Sequence, residues 1–190
     1  MKSQVRVLGF DDAPFRFGSQ SVLIIGTVMR LPGYLEGILR TECRVDGDDA
    51  TDALVNAVLG SRFREQVKLV MIDGVALGGF NVVDIDRFRD ETGLPAATVT
   101  RDRPDMSKIE SALRKHFPDW RDRLEIIERH ELHEVGTGHK PLYVSISGMK
   151  IEEVRSMLRQ SIVRGAMPEP LRVAHIIASG VVKGESRGRA

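Results

Sequence analysis

Residues 67–74 read VKLVMIDG, an apolar run interrupted only by Lys68 and closed by Asp73 and Gly74. A continuous apolar stretch of this length marks a strand covered on both faces, as in the parallel sheets of α/β proteins. What precedes it agrees. Residues 48–60, DDATDALVNAVLG, place Asp48 and Asp49 where a helix N-cap belongs, set Ala53, Leu54, Ala57 and Val58 on one face, and stop at Gly60. Further upstream, strands are expected over 5–10, 22–29 and 35–45. Turn-rich separators at Gly18-Ser19-Gln20 and Leu31-Pro32-Gly33 predict that they pair as an antiparallel meander.

Downstream, the pattern predicts a helix over 82–92, a strand over 96–100 and a helix over 105–116. A strand follows in KPLYVSIS, then helices over 151–164 and 168–178. Three antiparallel strands followed by alternating helix and strand predict one mixed sheet with helices on both faces. The segment HELHEVGTGH carries His130, His133 and His139, but it lacks the His-Glu-x-x-His order of a zinc helix and reads as a solvated charged loop. The expectation is a single domain over 1–180, followed by a disordered basic tail over 181–190.

Composition narrows the class. A chain of 190 residues can bury a substantial core, and a formal net charge of +1 neither announces nor excludes a nucleic-acid partner. The longest apolar run, SVLIIGTVM, is too short to span a bilayer, and no signal-like N-terminus precedes it, so no membrane association is expected. Cys43 is the only cysteine, which excludes an intrachain disulfide and a Cys-based zinc cluster; the default is a reduced, cytoplasmic protein.

The chemistry lies in the carboxylates. In VLGFDDAPF, residues 7–15, the first strand ends on Asp11 and Asp12; the fourth ends on Asp73. If the first and fourth strands lie side by side and parallel, Asp11 and Asp73 emerge at the sheet edge where open α/β sheets bind ligands. Asp48, Asp49 and Asp52 form a third acidic cluster at the start of the first helix. Converging carboxylates repel unless a cation neutralises them, and Mg²⁺, which takes oxygen ligands and keeps waters for substrate phosphates, suits such a site. Taken singly, each of these aspartates is more often a turn or capping residue, and Asp12 reads equally as a supporting or a turn residue.

Several stretches together resemble a known family. VLGFDDAPF is similar to the first catalytic strand of endonuclease V, a ribonuclease H-like nuclease, and VKLVMIDGVALGG to its apolar strand ending in Asp-Gly. LPAATVTRD resembles the later strand that ends in a basic residue. The C-terminal stretch opens with Lys-Pro-x-Tyr-Val-Ser and closes with Pro-Glu-Pro-x-Arg-x-Ala-His, both of which recur in that enzyme. Closer still, DGVALGGFNVVDI, TGLPAATVTRDRPD and LRKHF resemble the mostly archaeal endonuclease dU family.

The resemblance implies a ribonuclease H-like, mixed five-stranded sheet of order 3-2-1-4-5. It also implies a metal-dependent endonuclease that nicks DNA near a deaminated base, deoxyuridine favoured over deoxyinosine. Asp11 and Asp73 then hold Mg²⁺, with Mn²⁺ as the other candidate. The family's spacing back from Asp73 lands on Asp52 as third carboxylate, with Asp49 and Asp48 behind it. Arg101 stands where endonuclease V carries a lysine and would meet phosphate charge, and His175 falls on the active-site histidine. Gly74, Gly78 and Gly79 are expected to bring backbone amides to a flipped base, and Phe80 to stack on it; the turn and core readings of these four stand beside that. The family's Pro-Tyr-Ile-Pro wedge has no counterpart, the nearest analogues being RLPGY and residues 14–17. Arg62, Arg64, Lys68, Lys183, Arg187 and Arg189 read as ordinary surface. The alternatives are a catalytically degenerate nucleic-acid binding protein of the same fold and an enzyme acting on RNA or free nucleotides. Whether the chain is a monomer or a dimer stays open.

Overall fold

A computed structural model describes residues 5–16 and 18–186. Its main sheet contains β1 (Arg6–Asp12), β2 (Ser21–Arg30), β3 (Tyr34–Arg44), β4 (Val67–Asp73), β7 (Ala96–Thr100), β8 (His133–Val135) and β9 (Leu142–Ser147). A separate hairpin joins β5 (Ala76–Leu77) to β6 (Asn81–Val82). The helices are α1 (Ala50–Leu59), α2 (Ile85–Thr92), α3 (Met106–His116), α4 (Trp120–Glu128), α5 (Ile151–Ser161) and α6 (Glu169–Lys183). Among the described residues no helix is long and apolar enough to cross a membrane.

The sheet order is β3-β2-β1-β4-β7-β9-β8. β1 to β3 form the expected meander, β4 and β7 run parallel to β1, β9 pairs antiparallel with β7, and β8 pairs antiparallel with β9. The expected order 3-2-1-4-5 is therefore present, but the sheet has seven strands rather than five. The extra β8 comes from the stretch expected to be a solvated loop. Three residues are too few to show alternation, yet Val135 is buried and pairs with Leu142 while Glu134 stays exposed. Before it, α4 is held by Arg123, a buried residue whose guanidinium donates to the carbonyls of Gly47 at 2.8 Å and Phe80 at 2.6 Å.

The expected tail is also shorter. α6 runs on through 181–183 and closes at Gly184, which adopts φ 82° and donates its N–H to Gly180 O at 2.9 Å. Left-handed glycine is a common helix stop. Residues 187–190 lie outside the described residues.

Alternation along β1 assigns the two faces. Leu8 and Phe10 join a core cluster with Leu54 and Val58 of α1 and Phe88 of α2. Val7 joins a second with Val154 and Leu158 of α5 and Leu171 of α6. α6 lies against β1 and β2, and Gly9 is where it comes closest: a Cβ there would sit 2.6 Å from the Pro170 backbone carbonyl carbon and 2.9 Å from Leu171 N. Thr27 Oγ1 donates to Pro170 O at 2.6 Å and pins the same point. Gly9→Ala is expected to force α6 away from the sheet at a cost of about 1–3 kcal/mol, as overpacking does. The measurement is a urea titration, where the midpoint falls with the slope unchanged.

Candidate active site

The ends of β1, β4 and β7 share one sheet edge because the three strands are parallel. In register, Phe10 stands beside Ile72, so Asp11 and Asp73 occupy matching positions one step further along, on strands about 4.8 Å apart. Alternation puts Asp73 on the face shared by Leu69 and Met71, and Arg101 on the face shared by Ala97 and Val99; this is the α6 face of the sheet. α6 then carries His175 to Asp11, with Nδ1 2.8 Å from Oδ2. Asp11, Asp73, Arg101 and His175 line a cleft of about 570 Å³ together with Asp12, Ala13, Pro14, Phe15 and Thr100.

The motif around His175 is mostly scaffold. Pro168 caps α6, and Pro170 O accepts the Thr27 hydroxyl. Arg172 clamps Glu169 with two bonds of 2.6 and 2.7 Å. Only the histidine reaches the chemistry.

Electrostatics at this edge is unfavourable without a counter-charge. Asp11 is 5% exposed; burial first, then repulsion from Asp73 and Asp12, pushes its pKa up to about 8. Burial pushes Asp73 up to about 6, with Arg101 pulling it back. Burial, then the charge of Arg101, holds His175 below its ordinary value. Burial thus favours the protonated form of Asp11 and the neutral form of His175 across their hydrogen bond. A cation against the two aspartates would displace that proton.

The donor set fits Mg²⁺. Among the described residues no three His, Cys, Asp or Glu side chains are grouped to hold a metal by themselves. Mg²⁺, however, commonly rests on one or two carboxylates, waters and substrate phosphates. Asp11 and Asp73 are the pair that could supply those carboxylates.

The other expected residues are placed elsewhere. α1 packs on the opposite face of the sheet, and Asp52 is ion-paired with Arg87 of α2 instead of lining the cleft. Asp48 and Asp49 are both held by Arg44, and Asp49 also accepts from Asn81 Nδ2 at 2.7 Å. The acidic run that looked like a third ligand serves the junction of β3, α1 and the hairpin.

Gly78 (φ 57°) and Gly79 (φ 90°) turn that hairpin. Gly78 N–H donates to Asp12 Oδ2 at 2.6 Å, Phe80 N–H to Asp46 Oδ1 at 2.9 Å, and Gly74 N–H to Val99 O at 2.9 Å. Phe80 packs edge-on against Phe117, with centroids 5.7 Å apart. None of these four lines the cleft. Asp12, on the other side of β1 from Asp11, ties the hairpin to the strand. Of the two wedge analogues, Leu31-Pro32-Gly33 turns beside Arg6, at the far end of β1, because Arg30 pairs with both Arg6 and Tyr34. Pro14 and Phe15 stand at the cleft, and Phe17 lies outside the described residues.

With this geometry established, the sequence profile of the family described as endonuclease dU matches residues 3–182. The chain belongs to the endonuclease dU family. A protein named UPF0215 protein from Methanothermobacter thermautotrophicus is 48% identical, covering 100% of this chain and 94% of its own. A crystal structure of a protein of unknown function from Archaeoglobus fulgidus is similar at TM-score 0.85 and 38% identity, covering 94% of this chain and 98% of that one. Endonuclease V from Ciona intestinalis, crystallised with a 24mer DNA containing an inosine, is similar at TM-score 0.61 and 12% identity, over 95% and 87% of the two chains. That likeness shows the ribonuclease H-like fold, here as the endonuclease dU version with its seven-stranded sheet.

The raised carboxyls make a stability prediction. A carboxyl with a folded-state pKa above its unfolded value contributes stability at low pH, and loses it as pH rises from about 4 to about 8. Each such group costs up to about 1.4 kcal/mol per pH unit within that window. In metal-free buffer, thermal melting of the wild type is expected to fall relative to Asp11→Asn between pH 5 and pH 8. Parallel curves for the two proteins would contradict it.

Proposed function

We propose that this chain is a divalent-cation-dependent endonuclease that nicks DNA beside a deaminated base, with deoxyuridine preferred over deoxyinosine. The observation that carries it is the matched placement of Asp11 and Asp73 on adjacent parallel strands, in a cleft completed by Arg101 and His175. Family membership supports the activity class, and the family's description supports deoxyuridine. The endonuclease V relative was crystallised on inosine-containing DNA, which supports DNA as the substrate here.

Asp11 and Asp73 hold Mg²⁺ or Mn²⁺; when bound, the cation supplies Lewis acidity toward the scissile phosphate and lowers the pKa of water. Arg101 binds phosphate oxygens and keeps its charge throughout, presenting a planar fork where a lysine would offer a point charge. His175, with Nδ1 committed to Asp11 and burial favouring its neutral form, takes or returns a proton within the cleft. A uracil opposite guanine is already mismatched, so unstacking it costs less than displacing a paired base.

A second reading, DNA binding without cleavage, is favoured by Asp52 standing on the other face with Arg87, outside the cleft that Asp11, Asp12 and Asp73 line. One gel assay separates the readings. End-labelled duplexes with a single uracil, a single hypoxanthine or no lesion are incubated with Mg²⁺. Nicking near uracil is expected, weaker nicking at hypoxanthine, none with EDTA, and none for Asp73→Asn. His175→Ala is expected to slow the chemical step by about 10²–10⁴-fold. Bound but uncut DNA with either cation would move the protein to the second reading. Independently of activity, Mg²⁺ at ten times its Kd is expected to stabilise the wild type at pH 8 by about 1.4 kcal/mol, and Asp73→Asn is expected to lose that gain.

A further inference from the structure

The catalytic cleft does not end at its carboxylates. A second cavity of about 440 Å³, lined by Pro14, Phe15, Arg16, Val182 and Lys183, adjoins it, and the two share Pro14 and Phe15. The segment that makes this junction is held from both sides. Ala13 N–H still pairs with Leu23 O at 2.8 Å, so the chain leaves the sheet only after Ala13. Pro14 then fixes its own backbone torsion. Arg16 and Ser19 close a turn, with Ser19 N–H donating to Arg16 O at 3.0 Å and Arg16 N–H to Ser19 Oγ at 3.2 Å.

Phe15 is thus presented by an anchored segment, two residues past a buried alanine, and is 41% exposed beside the half-exposed Val182. A single exposed aromatic needs no explanation. This one lines both the candidate phosphodiester cleft and the cavity beside it, which Arg16 and Lys183 flank. Lys183 is close enough to His175 for its charge to act on the imidazole. Aromatic faces flanked by basic side chains along a groove are how proteins hold unpaired nucleic-acid strands.

We propose that Phe15 is a stacking platform for an unpaired nucleobase next to the scissile phosphate, with Arg16 and Lys183 holding the adjoining phosphates. The proposal rests on the nuclease reading above. It assigns the base contact to the segment after β1 and the end of α6, away from the glycine hairpin.

The test is binding in EDTA, where nothing is cut. Uracil-containing duplexes carry 2-aminopurine on one or the other side of the uracil, and matched duplexes are abasic at those positions. Affinity by anisotropy and 2-aminopurine fluorescence are read for wild type, Phe15→Ala, Phe15→Leu and Phe15→Trp, and for Arg16→Gln with Lys183→Gln. Phe15→Ala and Phe15→Leu are expected to lose about tenfold in affinity and the fluorescence change, while Phe15→Trp keeps both. Wild type should lose the same factor on one of the abasic duplexes, where Phe15→Ala loses nothing further. The charge variant should lower the slope of log affinity against log salt by about 2. Equal binding by Phe15→Leu and wild type, or equal losses by wild type and Phe15→Ala on both abasic duplexes, overturns the stacking role. If wild type nicks at uracil in Mg²⁺ while every Phe15 variant binds as it does, only this inference falls. If wild type binds no DNA, both readings fall. Because Phe15 is exposed, its variants should melt with the wild type, which excludes misfolding.

Discussion

The structure turns on the parallel pairing of β1 with β4 at the centre of the sheet. Both strands are covered on both faces, so each must be apolar along its length and can afford polar groups only where it leaves the core. Parallel pairing sends both exits to one edge and forces the connection between them, with α1, to cross over on one side. The result is a pair of carboxylates at matching register positions, buried enough to resist ionisation and close enough to repel. Nothing in the packing of the core demands this arrangement. It is a local conflict held in place by a well-packed fold, as functional sites commonly are.

α6 resolves half of that conflict. It crosses β1 at its closest point over Gly9, is fixed by the Pro170 carbonyl, and brings His175 within hydrogen-bond distance of Asp11. The imidazole gives Asp11 a partner, and burial and Arg101 both favour the neutral form of His175. Arg101 acts on both aspartates, and it moderates their repulsion without cancelling it. Tandem aspartates in one strand also divide their labour by alternation. Asp11 meets His175, and Asp12, which also lines the cleft, holds the hairpin through Gly78.

The sequence made the centre of this fold legible and its periphery less so. The apolar run ending at Asp73, the meander before it and the helix between them predict one mixed sheet with β1 beside β4, and through it the shared edge of Asp11 and Asp73. Long, strongly patterned segments carry that information; the full strand order and the place of Arg101 come from the family resemblance. β8 was hidden because three residues, two of them polar, show no period, and α4 because its inward residue is an arginine satisfied by carbonyls rather than a leucine. Asp52 illustrates the limit of spacing as evidence: distance along the chain matched, but the face of the sheet on which α1 packs did not bring it to the cleft. Gly78 and Gly79 could be read as turn or as site from composition alone, and their positive torsions belong to a hairpin. The role of Phe15 needed three dimensions, since only the structure shows that α6 ends beside it.

Gly9 has one more effect. Side chains of a strand alternate, so a slip of β1 by a single residue would exchange its two faces. With apolar residues on both sides, the core itself would tolerate that exchange better than most strands do. The exchange is barred at one point: the slipped strand would put Phe10 or Leu8 beneath Pro170, where not even a methyl group has room. The smallest residue in the strand therefore acts as its register mark, and it keeps Asp11, rather than Asp12, on the side where His175 meets it.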